Sequence, residues 1–154
     1  MVMKKFKEDV YAMGTMEIVD VRETNKEVQE YCAFTGGYGS IRTFYRVRLG
    51  EEVFFSAKYT RVKKRNSYTI LYNKGVFRFG LIVQYFCIKW DPIALVQKLR
   101  VTARFKEDIP IFSVRKLDEY DVINVCDIQE KCMYVEVDSN NVYVCRFPCK
   151  ILTD

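Results

Sequence analysis

Cys132-Met133-Tyr134-Val135-Glu136-Val137 and Val142-Tyr143-Val144-Cys145-Arg146-Phe147 flank the tetrad Asp138-Ser139-Asn140-Asn141. Both flanks are rich in β-branched and aromatic residues and alternate from one residue to the next. They enclose consecutive turn formers, which is the pattern of an antiparallel hairpin. A four-residue loop sets Cys132 opposite Phe147 and Tyr134 opposite Cys145. The two thiols are then diagonal neighbours, which argues against a disulfide between them.

The same period of two recurs upstream. Ile41, Thr43, Tyr45 and Val47 alternate with Arg42, Phe44, Arg46 and Arg48, predicting one core face and one basic-aromatic face. Gly50-Glu51 is a turn, and Val53 to Tyr59 reads as the returning strand. Tyr68 to Tyr72 is a further strand with Tyr68, Ile70 and Tyr72 on one side, closed by the turn Asn73-Lys74-Gly75. Phe77 to Trp90 is expected as the longest strand, with Gly80 as a bulge and Leu81, Val83, Tyr85 and Cys87 sharing a face. Asp91-Pro92 interrupts it. Ile93 to Phe105 is read as a strand, although Ala94, Leu95, Gln97 and Lys98 also suit a helix. Ile111 to Val114 and Asp121 to Val125 are short strands flanking Lys116 to Tyr120. Lys26 to Phe34 suits a short helix with Val28, Tyr31 and Cys32 on one face, and Gly36-Gly37-Tyr38-Gly39 breaks it.

No linker, repeat or low-complexity tract divides the 154 residues, a length suited to one hydrophobic core. The expectation is a single domain over 1–154, with a leading segment at 1–40 and a β core at 41–148. Its class is mainly β, a strongly twisted antiparallel sheet or small barrel with few short helices. Leu81 to Ile88, the most apolar run, is broken by Gln84 and is far shorter than the roughly 20 residues of a membrane helix, so no membrane partner is expected. The charged N-terminus lacks the apolar stretch of a secretory signal, which implies an intracellular, reducing location. Cys32, Cys87, Cys126, Cys132, Cys145 and Cys149 are then free thiols.

Histidine is absent, which removes the commonest general base and the commonest zinc nitrogen ligand. Asp118, Glu119 and Asp121 read as a solvated connection, and no glycine-rich phosphate loop occurs. The chain is therefore expected to be neither an enzyme nor the holder of a cofactor. Cys126, Cys132, Cys145 and Cys149 are separated by five, twelve and three residues, without the compact two-residue knuckle of zinc ribbons. Charge is distributed unevenly. The segment Arg42 to Arg78 holds ten basic and two acidic residues, a local excess of +8, against a net +5 for the whole chain. Arg42, Arg46, Arg48, Arg61, Lys63, Lys64 and Arg65 are the candidates for neutralising phosphates or an acidic partner, and Tyr59, Tyr68 and Tyr72 are the candidate aromatic contacts.

The run Phe55 to Ile70, with Arg65-Asn66-Ser67-Tyr68 at its centre, and Phe79-Gly80-Leu81-Ile82-Val83-Gln84-Tyr85-Phe86 resemble the C-terminal region of animal proteins derived from CACTA/EnSpm-type transposases. Val122 to Val135 and Tyr143-Val144-Cys145-Arg146-Phe147-Pro148 are similar to the closing hairpin of those proteins, with Cys149 standing where an Asn usually follows the Pro. The resemblance covers roughly residues 41 to 148, and also extends to β-modules of the bromo-adjacent homology type. It implies a noncatalytic accessory module acting on DNA or chromatin in the nucleus, or a protein-interaction or dimerisation module that positions the catalytic part of a transposase. The acidic catalytic core of such enzymes would lie N-terminal to this region.

The thiol spacing generates a first test. The reduced protein should contain less than stoichiometric zinc by atomic emission and keep its circular dichroism spectrum in a strong chelator. A structural site would instead lose folding free energy on chelation.

Overall fold

The computed structural model describes residues 3–36, 40–59, 68–106 and 109–146. The strands are β1 (Met3–Lys7), β2 (Val10–Met13), β3 (Glu17–Asp20), β4 (Ser40–Phe44), β5 (Arg46–Leu49), β6 (Glu52–Phe55), β7 (Thr69–Asn73), β8 (Phe77–Ile88), β9 (Asp91–Lys106), β10 (Ile109–Asn124), β11 (Ile128–Asp138) and β12 (Asn141–Arg146). One helix, α1 (Lys26–Thr35), lies between β3 and β4. Strands β8, β7, β11, β12, β10 and β9 are bonded in that order, and the β8–β9 pairing closes them into a six-stranded antiparallel barrel. Closure removes the unpaired edges that an open sheet of this size would expose. Strands β4 and β3 extend from the barrel at β8, and β1-β2-β5-β6 form a separate four-stranded sheet.

Three apolar clusters join these parts. Leu71, Phe79, Leu81, Leu99, Val114, Cys132, Val142 and Val144 come from all six barrel strands and fill its interior. The side of β9 that carries Leu99 inward also carries Ile93 and Leu95, which meet Val28 and Cys32 of α1. A third cluster packs Ala12, Val47 and Phe54 of the four-stranded sheet against Ile70, Tyr72, Ile82 and Tyr85. The helix thus forms where Val28 and Cys32 predicted it. It ends at Gly36, whose φ of 73° is the left-handed conformation that glycine adopts without strain.

Strand β8 differs from expectation. Its register against β9 shifts between Ile82 and Gln84, so Val83 is the bulged residue rather than Gly80. A bulge exchanges the faces of the strand beyond it. Ile82, Tyr85 and Cys87 therefore share the third cluster, Leu81 faces the barrel interior, and Val83 packs with the α1 cluster. Gly80 pairs regularly with Ile70 and Lys98. Its lack of a side chain serves close approach instead, since a Cβ there would stand 2.3 Å from Val96 Cγ1 and 2.8 Å from Tyr72 Cε1.

Other boundaries also move. Strands begin at Met3, so residues 1–40 are not merely a leading segment. Residues 41–48 do not form one strand, because the chain bends at Tyr45 and enters two different sheets. Phe44 consequently turns inward and stacks on Tyr85, with ring centres 5.3 Å apart. The returning strand ends at Phe55 rather than Tyr59. The strand expected over Ile93 to Phe105 is present, but it begins at Asp91, so the turn lies at Lys89-Trp90 rather than Asp91-Pro92, and the 16 residues of β9 exceed the 12 of β8. Strand β10 is equally long and runs through Lys116 to Tyr120 without ending, absorbing extra residues in a register shift. In the closing hairpin Asp138 pairs with Asn141, so the turn is the two residues Ser139-Asn140 rather than the expected four, and an irregularity between Glu136 and Asp138 then sets Cys132 against Arg146 and Met133 against Cys145. The two cysteines are therefore not diagonal neighbours on one face, because an offset of one residue places them on opposite faces of the hairpin.

The tight approach at Gly80 has a measurable cost. Gly80→Ala should lower the unfolding free energy by about 2 kcal/mol, the range of core overpacking. It should lower it less in a Val96→Ala background, where the nearest obstructing atom is gone. Urea unfolding of the four proteins checks this, and equal stability of parent and Gly80→Ala would refute it.

Candidate nucleic-acid interface

The four-stranded sheet has one face against the core and one away from it. Val47 pairs with Ala12 and Phe54, and all three are buried. By alternation, the rows on either side of it lie on the other face, where Tyr11, Arg46, Arg48, Val53 and Phe55 are half-buried and Met13 is buried. One row is Lys5, Tyr11, Arg48 and Val53, and the other is Met3, Met13, Arg46 and Phe55. The basic-aromatic face expected around Arg46 and Arg48 is therefore present on β5, an interior strand of this sheet.

On that face each arginine lies over an aromatic ring. The Arg46 guanidinium carbon is 4.8 Å from the centre of Tyr59, and that of Arg48 is 5.2 Å from Tyr11. Tyr59 also packs on Phe55, with centres 5.3 Å apart. Arg48 Nε donates to the Gly50 carbonyl at 2.8 Å. Ring contact restrains a guanidinium through its plane and leaves edge N–H groups directed at solvent, where they suit phosphate oxygens. Lys131 adds a further cation nearby. It donates to the Val53 carbonyl and lies 5.2 Å from the ring centre of Phe54. Lys5 belongs to the outer face as well, paired with Glu8 at 3.2 Å in an exposed contact of little energetic weight.

The remaining candidates separate. Arg42 sits on β4, across the Tyr45 bend, and does not join Arg46 and Arg48. Its nearest ring is Trp90 at 5.9 Å, which Lys4 Nζ approaches at 4.1 Å. Arg61, Lys63, Lys64 and Arg65 lie outside the described residues. The chain on either side of them is tied to one point, since Ala57 N donates to the Ile82 carbonyl and Ile82 N donates to the Tyr68 carbonyl, both at 2.8 Å. Ala57 and Tyr68, which flank the basic segment, are thus both bonded to β8. Tyr68 is half-buried and packs against two apolar clusters.

Tyr72 is not a surface contact, because it is 0 % exposed. Its hydroxyl donates to Asp121 Oδ2 at 2.7 Å. Lys74, Arg78 and Lys98 surround the same carboxylate, each at 3.7 Å. Sequence reasoning missed Tyr11, Trp90 and Lys131. Tyr11 alternates with Val10 and Ala12 and was detectable. Lys131 reaches this face only through tertiary packing, and Trp90 is presented by a two-residue turn in which it and Lys89 have positive φ.

The thiols do not assemble. Cys126 is exposed, Cys132 is buried, and Cys145 pairs one row away on the opposite side of the hairpin. Cys149 lies outside the described residues, among which no group of three or more His, Cys, Asp or Glu is placed to hold a metal. Burial pushes the thiols of Cys32, Cys87 and Cys145 up from their ordinary value. Among the described residues no helix is long and apolar enough to cross a membrane. No family model, curated protein or solved structure matches this chain.

Burial, reinforced at Tyr72 by the bond to Asp121, raises the phenols of Tyr72 and Tyr85 far above their ordinary value. An unfolded chain releases those protons near about pH 10 while the folded chain keeps them. The folded state then binds more protons, so stability falls as pH rises beyond that point. Urea midpoints should decline from about pH 9 to 11, and less steeply in Tyr72→Phe.

Proposed function

We propose that this chain is a noncatalytic DNA-binding module that acts on the phosphate backbone without reading sequence, as an accessory part of a chromatin-associated, transposase-derived protein. The observation that carries this reading is the pair of arginines held over Tyr59 and Tyr11 on the outward face of the four-stranded sheet. Side chains already restrained lose less freedom on binding than free lysines do. Arg61, Lys63, Lys64 and Arg65 would add to this positive charge, and Ala57 and Tyr68, the described residues on either side of them, both bond to Ile82. A DNA ligand would place the module in the nucleus.

A second reading has its own observation. Met133, Val135 and Val137 are exposed on one side of β11, an apolar stripe suited to a protein partner. The experiment that separates the two is a salt titration of duplex binding by fluorescence anisotropy. Arg46→Ala with Arg48→Ala should reduce the magnitude of the log K versus log salt slope by about 1.8, and Lys63→Ala, Lys64→Ala and Arg65→Ala together by about 2.7, at roughly 0.9 per phosphate. Matched unfolding curves control for stability. Absence of binding at low salt, or unchanged slopes, would overturn the DNA reading and favour the apolar stripe.

A further inference from the structure

One end of the barrel opens into a cavity of about 560 Å³ lined by Leu71, Phe79, Leu99 and Phe112 from the interior and by Arg78, Lys98, Arg100 and Arg146 at the rim. Leu117 and the exposed residues Phe77 and Val101 complete its lip. The volume is within the roughly 300–1,000 Å³ of small-molecule sites, and an apolar floor with a few polar groups is their usual lining. Every described lining residue belongs to β7, β8, β9, β10 or β12. The cavity therefore shares no residue with the outward face of the four-stranded sheet.

Two features distinguish this mouth from the solvated end of an ordinary core. The first is its shape. Strand β10 advances from Lys116 to Tyr120 while β9 moves only from Leu99 to Gln97, and Leu117, within this detour, lines the cavity. Gln97 Nε2 donates to the Leu117 carbonyl at 2.9 Å and holds this detour in place. Bulges of this kind at barrel rims commonly aim side chains at sites. Phe77 also remains 64 % exposed at the lip, a large apolar surface next to cations rather than against the core.

The second feature is charge. Among the described residues no carboxylate lines the cavity. Arg78 and Lys98 share Asp121 with Lys74, and Lys98 also approaches Glu119 at 3.7 Å, so three cations there face two carboxylates. Arg146 is paired with Glu130. Among the described residues, no carboxylate stands within ion-pair distance of Arg100. A positive rim around an apolar floor selects a ligand with the reverse division, an apolar body ending in an anion. We propose that the barrel mouth binds a small amphipathic carboxylate, with its apolar chain against Phe79, Leu99 and Phe112 and its head at Arg100 and Lys98.

Dodecanoate below its micellar concentration is the probe, with dodecanol supplying the chain without the charge and acetate the charge without the chain. Isothermal titration should show one dodecanoate per chain, no acetate binding, and dodecanol binding at least about tenfold weaker. Arg100→Gln, a change at an exposed position, should weaken dodecanoate by about fivefold, as expected for a partly solvated charge-assisted hydrogen bond. Phe77→Ser should weaken dodecanoate and dodecanol alike. Amide shifts on titration should concentrate at Leu71, Phe79, Leu99 and Leu117. No saturable binding, equal affinity for dodecanol and dodecanoate, or shifts confined to β1, β2, β5 and β6 would each overturn the proposal. DNA binding is scored separately with Arg46→Ala/Arg48→Ala, which should leave dodecanoate binding unchanged.

Discussion

The bulge at Val83 is the constraint on which the rest of the architecture depends. Strand β8 pairs with β7 through Phe77 to Leu81 and with β4 through Tyr85 to Cys87, while β9 follows its other edge throughout. Without the bulge, strict alternation would carry Tyr85 and Cys87 to the barrel-interior side of Leu81 and turn Phe86 and Ile88 away from α1. The four-stranded sheet would then lose Tyr85, whose ring stacks on Phe44 and whose hydroxyl donates to the Phe54 carbonyl at 3.3 Å. One extra residue lets a single strand contribute first to a closed barrel and then to the seam between that barrel and a second sheet. Its exposed backbone is used as well, because Ile82 bonds to Ala57 on one side of the basic segment and to Tyr68 on the other.

Polar groups at the seam are satisfied in a way that concentrates positive charge. Asp121 is almost fully buried and accepts from Tyr72, a bond that compensates the desolvation of both partners. Three cations gather around the same carboxylate, more than its charge requires. Burying one acidic residue thus draws Lys74, Arg78 and Lys98 to one end of the barrel, while Arg46 and Arg48 stay on the sheet. The basic residues that are consecutive in sequence divide into two fields in space.

Much of this was legible in the alternation. The closing hairpin, the strand over Ile93 to Phe105, the helix with Val28 and Cys32 inward and the predominance of β-structure all follow from period and turn chemistry. Bulges were not legible, because a bulge leaves the residue types of a strand unchanged and is decided by which neighbour packs on each half. That is why Gly80, the residue permissive enough to bulge, was read as one when its real use is contact with Val96 and Tyr72. The bend at Tyr45 was hidden for a related reason. Ile41 to Arg48 alternates without interruption in sequence, although β4 and β5 bury their residues against different partners. The site was half legible. Arg46, Arg48 and Tyr59 come together, whereas Arg42 is removed by that bend and Tyr72 is drawn into the core by Asp121.

Basic residues on a small β protein have a simpler use than binding, and position separates the two uses. Edge strands expose unpaired backbone groups, and lysines there discourage pairing with another chain. Strand β1 is an edge of the four-stranded sheet and carries Lys4, Lys5 and Lys7, which this protective role explains without any ligand. Strand β6 is the other edge, and Lys131 covers it by bonding to the Val53 carbonyl. Arg46 and Arg48 fit no such role, because β5 is paired on both sides by β2 and β6 and has no edge to protect. Arg48 lies directly across from Tyr11, and each arginine gains a cation–π contact of roughly 0.5–1 kcal/mol that threonine or valine would not supply, against a larger side-chain entropy cost. Their contacts with Tyr59 and Tyr11 brace the sheet, and in the DNA-binding reading proposed above the same restraint lowers the entropy lost on binding.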